Sequence, residues 1–194
     1  MTEPAPPRSA RRDELLELAY HYATHNGLAE LSLRPLAAAV GSSPRVLLFL
    51  FGSKDQLLRA LLARARQDQL TLLERMRTES APVDLAAAVR SLWRWLAAPA
   101  HRPLLALWFE AYTQSLLQPH GPWDGFARQT VEDWLAELAL AQPPARRRST
   151  IGTAERTLAV AVMRGVLLDL LATGDRERTM ATMEYYLKAT VGTD

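Results

Sequence analysis

The sequence predicts an all-α protein with a small N-terminal three-helix domain and a larger helical domain behind it. Apolar residues recur three and four positions apart through most of the chain, which is typical of amphipathic helices. No stretch alternates apolar and polar residues, so no strands are expected. Clusters rich in proline or glycine interrupt the helical pattern at residues 79–82, 99, 118–122, 142–144 and 174–175.

Composition limits the class of protein. A hydrophobic content of 48% over 194 residues is enough for a substantial core, and the chain has no cysteine. No apolar run approaches the ~20 residues that a membrane span requires. The N-terminal residues MTEPAPPRSARR lack the apolar core of a signal peptide, so a cytoplasmic location is expected. We interpret residues 1–8, with their three prolines, either as a disordered arm that contacts DNA or as a solvated tail.

The stretch from Ser32 to Lys54 predicts two short helices joined by a tight turn, a helix-turn-helix at about residues 33–51. Gly41 gives the turn its backbone freedom. Ser43 is a good N-cap for the second helix, and Pro44 suits its first position. Ser32 is expected to cap the first helix in the same way. The inward faces are predicted to consist of Leu36, Ala37, Val40, Leu47 and Phe51.

The second of these helices has an unusual outward face. Arg45 is its only strong hydrogen-bonding side chain. Because Leu47 faces inward, Phe49 shares the outward face of Arg45, and Leu48 lies beside them. Two interpretations remain open. Arg45 reads a guanine edge while Phe49 and Leu48 lie against thymine methyls and sugars, or the helix only packs or binds another apolar surface.

The segment from Arg12 to Leu58 resembles the DNA-binding domain of the TetR family of bacterial transcriptional regulators. The residues FGSKDQLL at 51–58 are the most specific part of this resemblance. The later stretches EDWLAELA and VMRGVLLDLLATGD resemble the ligand-sensing half of actinobacterial-type members. The resemblance therefore implies a DNA-binding domain at residues 9–58 and a helical ligand-binding and dimerisation domain at 59–194. The other matching residues are Leu15, Leu16, Ala19, Gly27, SLRPLA at 32–37, Gly41, Ser43 and Leu47.

The family resemblance also implies which residues contact the operator. Members of the family usually carry tyrosine at the position of Leu48 or Phe49 and histidine at that of Leu50. Hydroxyls and backbone N–H groups at the start of the second helix are expected to hold phosphate, and the family's lysine at position 54 contacts the DNA backbone. The candidate DNA-binding residues are Ser32, Arg34, Ser42, Ser43, Pro44, Arg45, Phe49 and Lys54.

All five tryptophans lie between residues 83 and 141. Because ligand cavities are mostly apolar with a few polar groups, these helices are predicted to hold a pocket, with Glu110, Gln114 and Arg164 as its polar groups. The alternative is that the aromatic residues are simply core. The candidate ligand-binding residues are Trp93, Trp108, Phe109, Tyr112, Trp123, Phe126, Trp134 and Met163.

The predicted helix at 148–173 is apolar on nearly all sides, which indicates that it is buried. Together with the last helix, at about 176–190, it resembles the four-helix dimer interface of the family. The alternative is a helix at the centre of the monomer. The candidate interface residues are Leu158, Val162, Val166, Leu170, Met180, Met183 and Leu187.

No sequence motif indicates catalysis. There is no nucleophile elbow, phosphate-binding glycine loop or zinc spacing, so we expect neither an enzyme, nor a cofactor, nor a metal site. His21 and His25 lie four apart but lack a third ligand at matching spacing, and we expect both to be solvated.

Taken with the resemblance, these features predict a homodimeric transcriptional regulator whose partners are an operator in double-stranded DNA and a small-molecule effector. We expect no association with a membrane. We expect a repressor that a small, largely apolar or aromatic molecule releases from DNA. The alternative is a helical dimer that binds a ligand or a protein and has weakened or lost sequence-specific DNA binding.

Overall fold

The computed structural model describes residues 8–79 and 84–190, and these residues form helices and loops without any strand. The predicted all-α class is therefore confirmed. The chain divides into two compact units. Unit one comprises the residues up to Asp68 together with Ala106–Ala127, and unit two comprises Gln69–Leu105 and the residues from Arg128 onward. The predicted domain boundary at residue 58 stays a prediction.

The helices are, in chain order, α1 (Arg8–Asn26), α2 (Leu33–Ala39), α3 (Pro44–Phe51), α4 (Lys54–Glu79), α5 (Leu85–Leu96), α6 (Arg102–Leu117), α7 (Phe126–Leu140), α8 (Pro144–Arg147), α9 (Thr150–Thr173) and α10 (Arg176–Thr190). The N-terminal arm predicted at 1–8 and the break predicted at 79–82 lie outside the described residues, except for the backbone of Arg8 and of Glu79. Among the described residues, no helix is long and apolar enough to cross a membrane.

Two short elements are not predicted by the sequence pattern. A 3-10 helix forms at Pro99–His101, and α8 forms directly after Pro143. The prolines at 99 and 144 are expected from the sequence to be helix breakers. Each instead begins a short helix, because the first helical position needs no N–H donor and favours the φ angle of proline.

In unit one, α1, α2 and α3 pack against one another. The inward residues that the sequence predicted for the two short helices are all buried, as are Leu57, Leu61 and Leu62 at the start of α4. Apolar residues of α1 and of the loop after it complete this core: Leu15, Ala19, Ala23, Leu28 and Leu31.

In unit two, α5, α9 and α10 pack together and α8 contacts α9. The Asp84 side chain accepts a hydrogen bond of 2.7 Å from the Ala87 N–H and so caps α5. Trp93 on α5 is 2% exposed, and its Nε1–H donates to the Met180 Sδ of α10 at 3.1 Å. These contacts bury one side of α9, but Leu158 and Leu168 on it are each 48% exposed. Within the single chain α9 is therefore not buried on all sides, and its burial against a partner subunit stays a prediction.

Candidate nucleic-acid interface and sensing helices

The turn between α2 and α3 has the geometry that the sequence predicted. Gly41 adopts φ 61°, in the left-handed region, and the Ser42 N–H donates to the Ala37 carbonyl at 2.8 Å. Residues that carry a Cβ are strained in this region by about 1–2 kcal/mol. Gly41 therefore sets the direction in which α3 leaves the turn.

The two ends of α3 are fixed by short-range bonds. Ser43 Oγ accepts a hydrogen bond of 3.2 Å from the Val46 N–H, and Pro44 occupies the first turn. Gly52, with φ 87°, ends the helix through a bond from its N–H to the Leu48 carbonyl at 2.8 Å. The cap predicted from Ser43 is therefore confirmed.

The cap predicted at Ser32 is not formed by its side chain. Ser32 has the extended backbone of an N-cap residue, but its hydroxyl makes no capping bond. The Leu36 N–H donates instead to the Ser32 carbonyl at 3.2 Å, which is the first bond of the helix itself. The hydroxyl of Ser32 is thus not used in starting α2. At α4, by contrast, Ser53 Oγ accepts from the Gln56 N–H at 3.1 Å.

The faces of α3 divide as predicted. Leu47 is 1% and Phe51 is 5% exposed, whereas Phe49 is 64% exposed. The neighbouring side chains of Val46 and Leu48 are each 39% exposed. The helix therefore presents apolar atoms on the side away from the core of unit one.

The eight candidate DNA-binding residues all belong to unit one. Six of them are exposed and two, Ser42 and Pro44, are half-buried. Arg34 and Arg45 make no hydrogen bond or ion pair with the residues that the structure describes. The exposed six are Ser32, Arg34, Ser43, Arg45, Phe49 and Lys54.

A carboxylate on α6 binds the loop between α1 and α2, and no feature of the sequence indicates this contact. Glu110 Oε2 accepts from the Leu28 N–H at 2.8 Å, and Glu110 Oε1 accepts from the Ala29 N–H at 2.7 Å. Gly27, at φ 81°, leaves room for this, because a Cβ there would lie 3.1 Å from both oxygens. Glu110, expected as a polar group of the pocket, instead holds the loop that precedes α2.

A second cluster in unit one joins α1 to α4. The Tyr20 hydroxyl donates to Asp68 at 2.9 Å, and Arg64 binds Glu17 at 2.6 Å as well as Asp68. Burial raises the pKa of the Tyr20 phenol well above its usual range, and the bond to Asp68 raises it further. The bond to Glu17 raises the pKa of the Arg64 guanidinium. This cluster fixes the middle of α4 on α1.

The candidate ligand-binding residues are divided between the two units. Trp108, Phe109, Tyr112, Trp123 and Phe126 belong to unit one, and Trp93, Trp134 and Met163 belong to unit two. Phe109 and Tyr112 are half-buried and the other six are buried. Their role in binding a ligand stays a prediction.

Unit two contains a small open cavity of about 150 Å³ that none of the candidate ligand-binding residues lines. Its walls are mostly apolar, and Arg102 at its edge donates to the Leu171 carbonyl at 2.6 Å. Together with Arg102, the lining residues are Leu96, Ala97, Ala98, Pro99, Leu105, Leu170, Leu171, Gly174 and Arg176.

The candidate interface residues differ in how far the chain itself already buries them. Leu170, Met183 and Leu187 are between 1% and 8% exposed, so they belong to the core of unit two. Val162, Val166 and Met180 are half-buried, and Leu158 is exposed. Of the seven, Leu158 has the most surface available for a partner.

An exposed apolar stripe runs along α9, and sequence reasoning named only Leu158 of it as a candidate interface residue. Its residues are spaced alternately three and four apart, which places them on one face of the helix over about 26 Å. This spacing is visible in the sequence, but the apolar residues on the other faces hide it. The stripe consists of Ile151, Ala154, Leu158, Ala161, Gly165 and Leu168. Tyr185 on α10 is also 76% exposed.

The described residues offer no group of three or more His, Cys, Asp or Glu side chains that is arranged to hold a metal ion. The rings of His21 and His25 lie 4.7 Å apart, and His25 Nδ1 is 2.9 Å from the His21 carbonyl oxygen. Both side chains are exposed.

A short helix that leaves a glycine turn and is held by two neighbouring helices defines a helix-turn-helix protein. Residues 15–61 match the family described as "Bacterial regulatory proteins, tetR family". The match assigns a domain of this family to residues 15–61. None of the curated proteins matches the chain.

Solved structures of TetR-type regulators share the fold over nearly the whole chain. A TetR-family regulator from Rhodococcus sp. is 18% identical, with a TM-score of 0.74, and the match covers 93% of this chain and 98% of the other. A transcriptional regulator from Saccharomonospora viridis in complex with choline has the same identity and TM-score, with 93% and 96% covered. The multidrug binding protein EbrR complexed with ethidium is 24% identical, with a TM-score of 0.63 and 94% and 99% covered.

Proposed function

We propose that the chain is a ligand-responsive, DNA-binding transcriptional regulator that acts as a homodimer. In this proposal a small, largely apolar or aromatic effector releases it from its operator, so that it is a repressor. The observation that carries the proposal is the exposed face of α3, with Arg45 on it, in a domain of the TetR family. A bidentate contact from such an arginine to guanine is worth ~1–3 kcal/mol of base discrimination.

The exposed stripe on α9 supports a dimer. An apolar face of this length costs free energy in water, and a second copy of the same helix would cover it. Ala154, Ala161 and Gly165 in the stripe are small enough to let two helices approach closely. A dimer also meets the requirement of DNA, since two recognition helices must reach successive major grooves ~34–36 Å apart.

The relatives support a small-molecule effector. EbrR is described as a multidrug binding protein and is complexed with ethidium or proflavin, both of which are aromatic. The buried aromatic residues of this chain are suited to such a molecule if its helices separate. By linkage, effector and operator would weaken each other equally, and a coupling of 1–3 kcal/mol would change operator affinity by about 5–150-fold.

The test of DNA binding is a gel shift with the promoter region of the chain's own gene at a stated salt concentration. We expect a specific shift at nanomolar to low micromolar protein, which Arg45→Ala abolishes and which ethidium or proflavin weakens. Arg94→Ala is the matched control, because Arg94 is exposed in unit two and outside the helix-turn-helix. A shift that competitor DNA of random sequence removes equally well would contradict the proposal.

The exposed apolar side chains of α3 favour one alternative, a helical dimer that binds a ligand or protein without reading DNA. This alternative predicts that the native chain gives no specific gel shift and that Arg45→Ala gives the same result as the native chain. A reporter gene behind the same promoter separates repression from activation, because loss of a repressor raises expression.

A further inference from the structure

We propose that α3 reads 5-methyl groups in the major groove, so that operator specificity depends on thymine methyls contacted by Phe49 and its neighbours. This inference rests on the proposed function and names what the DNA-binding helix recognises. The apolar patch that carries it consists of Val46, Leu48 and Phe49.

The first step is the supply of hydrogen-bonding groups. The residues of α3 are PRVLLFLF, in which Arg45 alone can donate a side-chain hydrogen bond to a base. Ser43 at the N-cap already accepts a bond from the Val46 N–H. One arginine per recognition helix specifies one base pair. The rest of the specificity must therefore come from other contacts.

The second step is the exposure of the apolar patch. Phe49 is 64% exposed although Leu47 and Phe51, on either side of it in sequence, are almost fully buried in the core. Phe49 lies four residues after Arg45, so the two side chains share one face of α3. Whatever surface Arg45 meets, Phe49 meets as well.

The third step is the charge around the patch. Residues 31–54 contain three cations, Arg34, Arg45 and Lys54, and no Asp or Glu. All three cations are exposed. An apolar patch in a segment whose charged side chains are all cations suits a polyanion that displays apolar groups. Duplex DNA fits this description because phosphates border the groove and methyls project into it.

The last step is the chemistry of the groove. The C5-methyl of thymine is the apolar group that natural base pairs present in the major groove. Phe49 against polar base edges would bury donors and acceptors without partners, at about 1–3 kcal/mol each. Phe49 against a methyl buries apolar surface on both sides. The favoured base at the patch is therefore one that carries a 5-methyl group, whatever its pairing edge.

The experiment uses the full chain and a duplex selected by it from a random library at 100 mM salt. Thymines of the selected site are replaced by deoxyuridine in symmetric pairs, which removes only the methyls. Burial of one methyl corresponds to about 4-fold in affinity. At one pair of positions or more we expect about 15-fold weaker binding by the native chain. For Phe49→Ala or Leu48→Ala we expect the same deoxyuridine replacement to weaken binding by less than 2-fold.

Two controls make the result specific. Leu116→Ala removes a side chain that is also 64% exposed, but on α6, and should keep the full response to deoxyuridine. In the second control, the critical thymine pairs of the site are first changed to cytosine pairs. Replacing these cytosines by 5-methylcytosine should then raise the binding affinity by about 4-fold per methyl.

Three outcomes would overturn the inference. If deoxyuridine changes the binding affinity at no position, the inference is overturned and the proposed function stays intact. If deoxyuridine weakens binding equally for the native chain, Phe49→Ala and Leu48→Ala, the effect comes from DNA shape and the inference is overturned. Failure to select any duplex would overturn the proposed function, and this inference with it.

Discussion

The carboxylate of Glu110 accepts the N–H of Leu28, 82 residues earlier in the chain, at 2.8 Å, and the next N–H, that of Ala29, at 2.7 Å. A segment of α6 thereby completes the hydrogen bonding of the loop in front of the helix-turn-helix. Because backbone donors away from water must be paired, this loop depends on α6 for its conformation. Within unit one, the contact therefore joins the part of α6 from Ala106 onward to the loop in front of α2.

Glu110→Gln tests this contact. The neutral amide can accept with one atom only and turns its NH₂ towards the second N–H, so at least one charge-assisted bond is lost. We expect a loss of about 1–2 kcal/mol in the free energy of unfolding. Amide hydrogen exchange at Leu28 and Ala29 should become faster. Glu132→Gln, on an exposed surface of α7, is the control and should change neither quantity. Unchanged exchange at both amides would refute the role of Glu110.

The Gly41 turn gives a second prediction. Gly41→Ala should lower the free energy of unfolding by about 1–2 kcal/mol, because its φ of 61° is unfavourable for a residue with a Cβ. No atom lies within 4 Å of the position that the new Cβ would take, so strain rather than a clash is the cause. Urea unfolding measures the change. Ala38→Ser, at an exposed position of α2, should stay within about 0.5 kcal/mol. Equal stability of Gly41→Ala and Ala38→Ser would contradict this explanation.

The ion pair between α9 and α10 predicts a pH dependence. Arg178 donates to both carboxylate oxygens of Asp169, at 2.5 and 2.7 Å, and these bonds hold the pKa of Asp169 below its usual range. A depressed carboxyl pKa adds stability that is complete above the unfolded pKa of ~3.9 and is lost as pH falls through the folded pKa. The native chain should therefore lose more thermal stability than Asp169→Asn on acidification below about pH 4.

Melting temperatures between pH 2 and 7 measure this difference, and Asp124→Asn serves as the control. Asp124 is exposed and makes no side-chain bond among the described residues, so its replacement should leave the acid profile unchanged. Parallel profiles for the native chain and Asp169→Asn would show that the ion pair does not respond to pH in this way.

The stripe on α9 gives a fourth prediction. Leu158→Arg should convert the proposed dimer to a monomer, since it places a charge in the middle of the apolar face and leaves the core of unit two unchanged. Sedimentation at micromolar concentration measures the mass. Leu117→Arg on α6 is the control, because Leu117 is 71% exposed and lies outside the stripe. A native chain that sediments as a monomer would remove the basis of the prediction.

The sequence suffices for the parts of the fold that local chemistry determines. Gly41, Ser43 and Gly52 act on backbone within a few residues of themselves, and their turn and cap roles are predictable. The exposure of Phe49 follows in the same way from helical spacing and the inward direction of Leu47. For the same reason the order and approximate ends of the longer helices are predictable.

Contacts between distant parts of the chain are not predictable in this way. Nothing in the sequence near Glu110 indicates that its carboxylate meets the N–H groups of Leu28 and Ala29. The family resemblance places Met183 and Leu187 on a dimer surface. Helical spacing cannot test this, because apolar residues have the same spacing whether a partner or the same chain covers them. Their burial depends on how α5 and α9 pack against α10, which helical periodicity leaves open.

Glu110 and the rest of residues 106–127 also bear on how modular the protein is. Arg59 donates to the Gly121 carbonyl at 3.0 Å, so a second bond joins this segment to the first 68 residues. A hybrid regulator made by grafting only the N-terminal helices onto a foreign sensor would leave these groups without their acceptors. A graft that also carries residues 106–127 would transfer the whole of unit one.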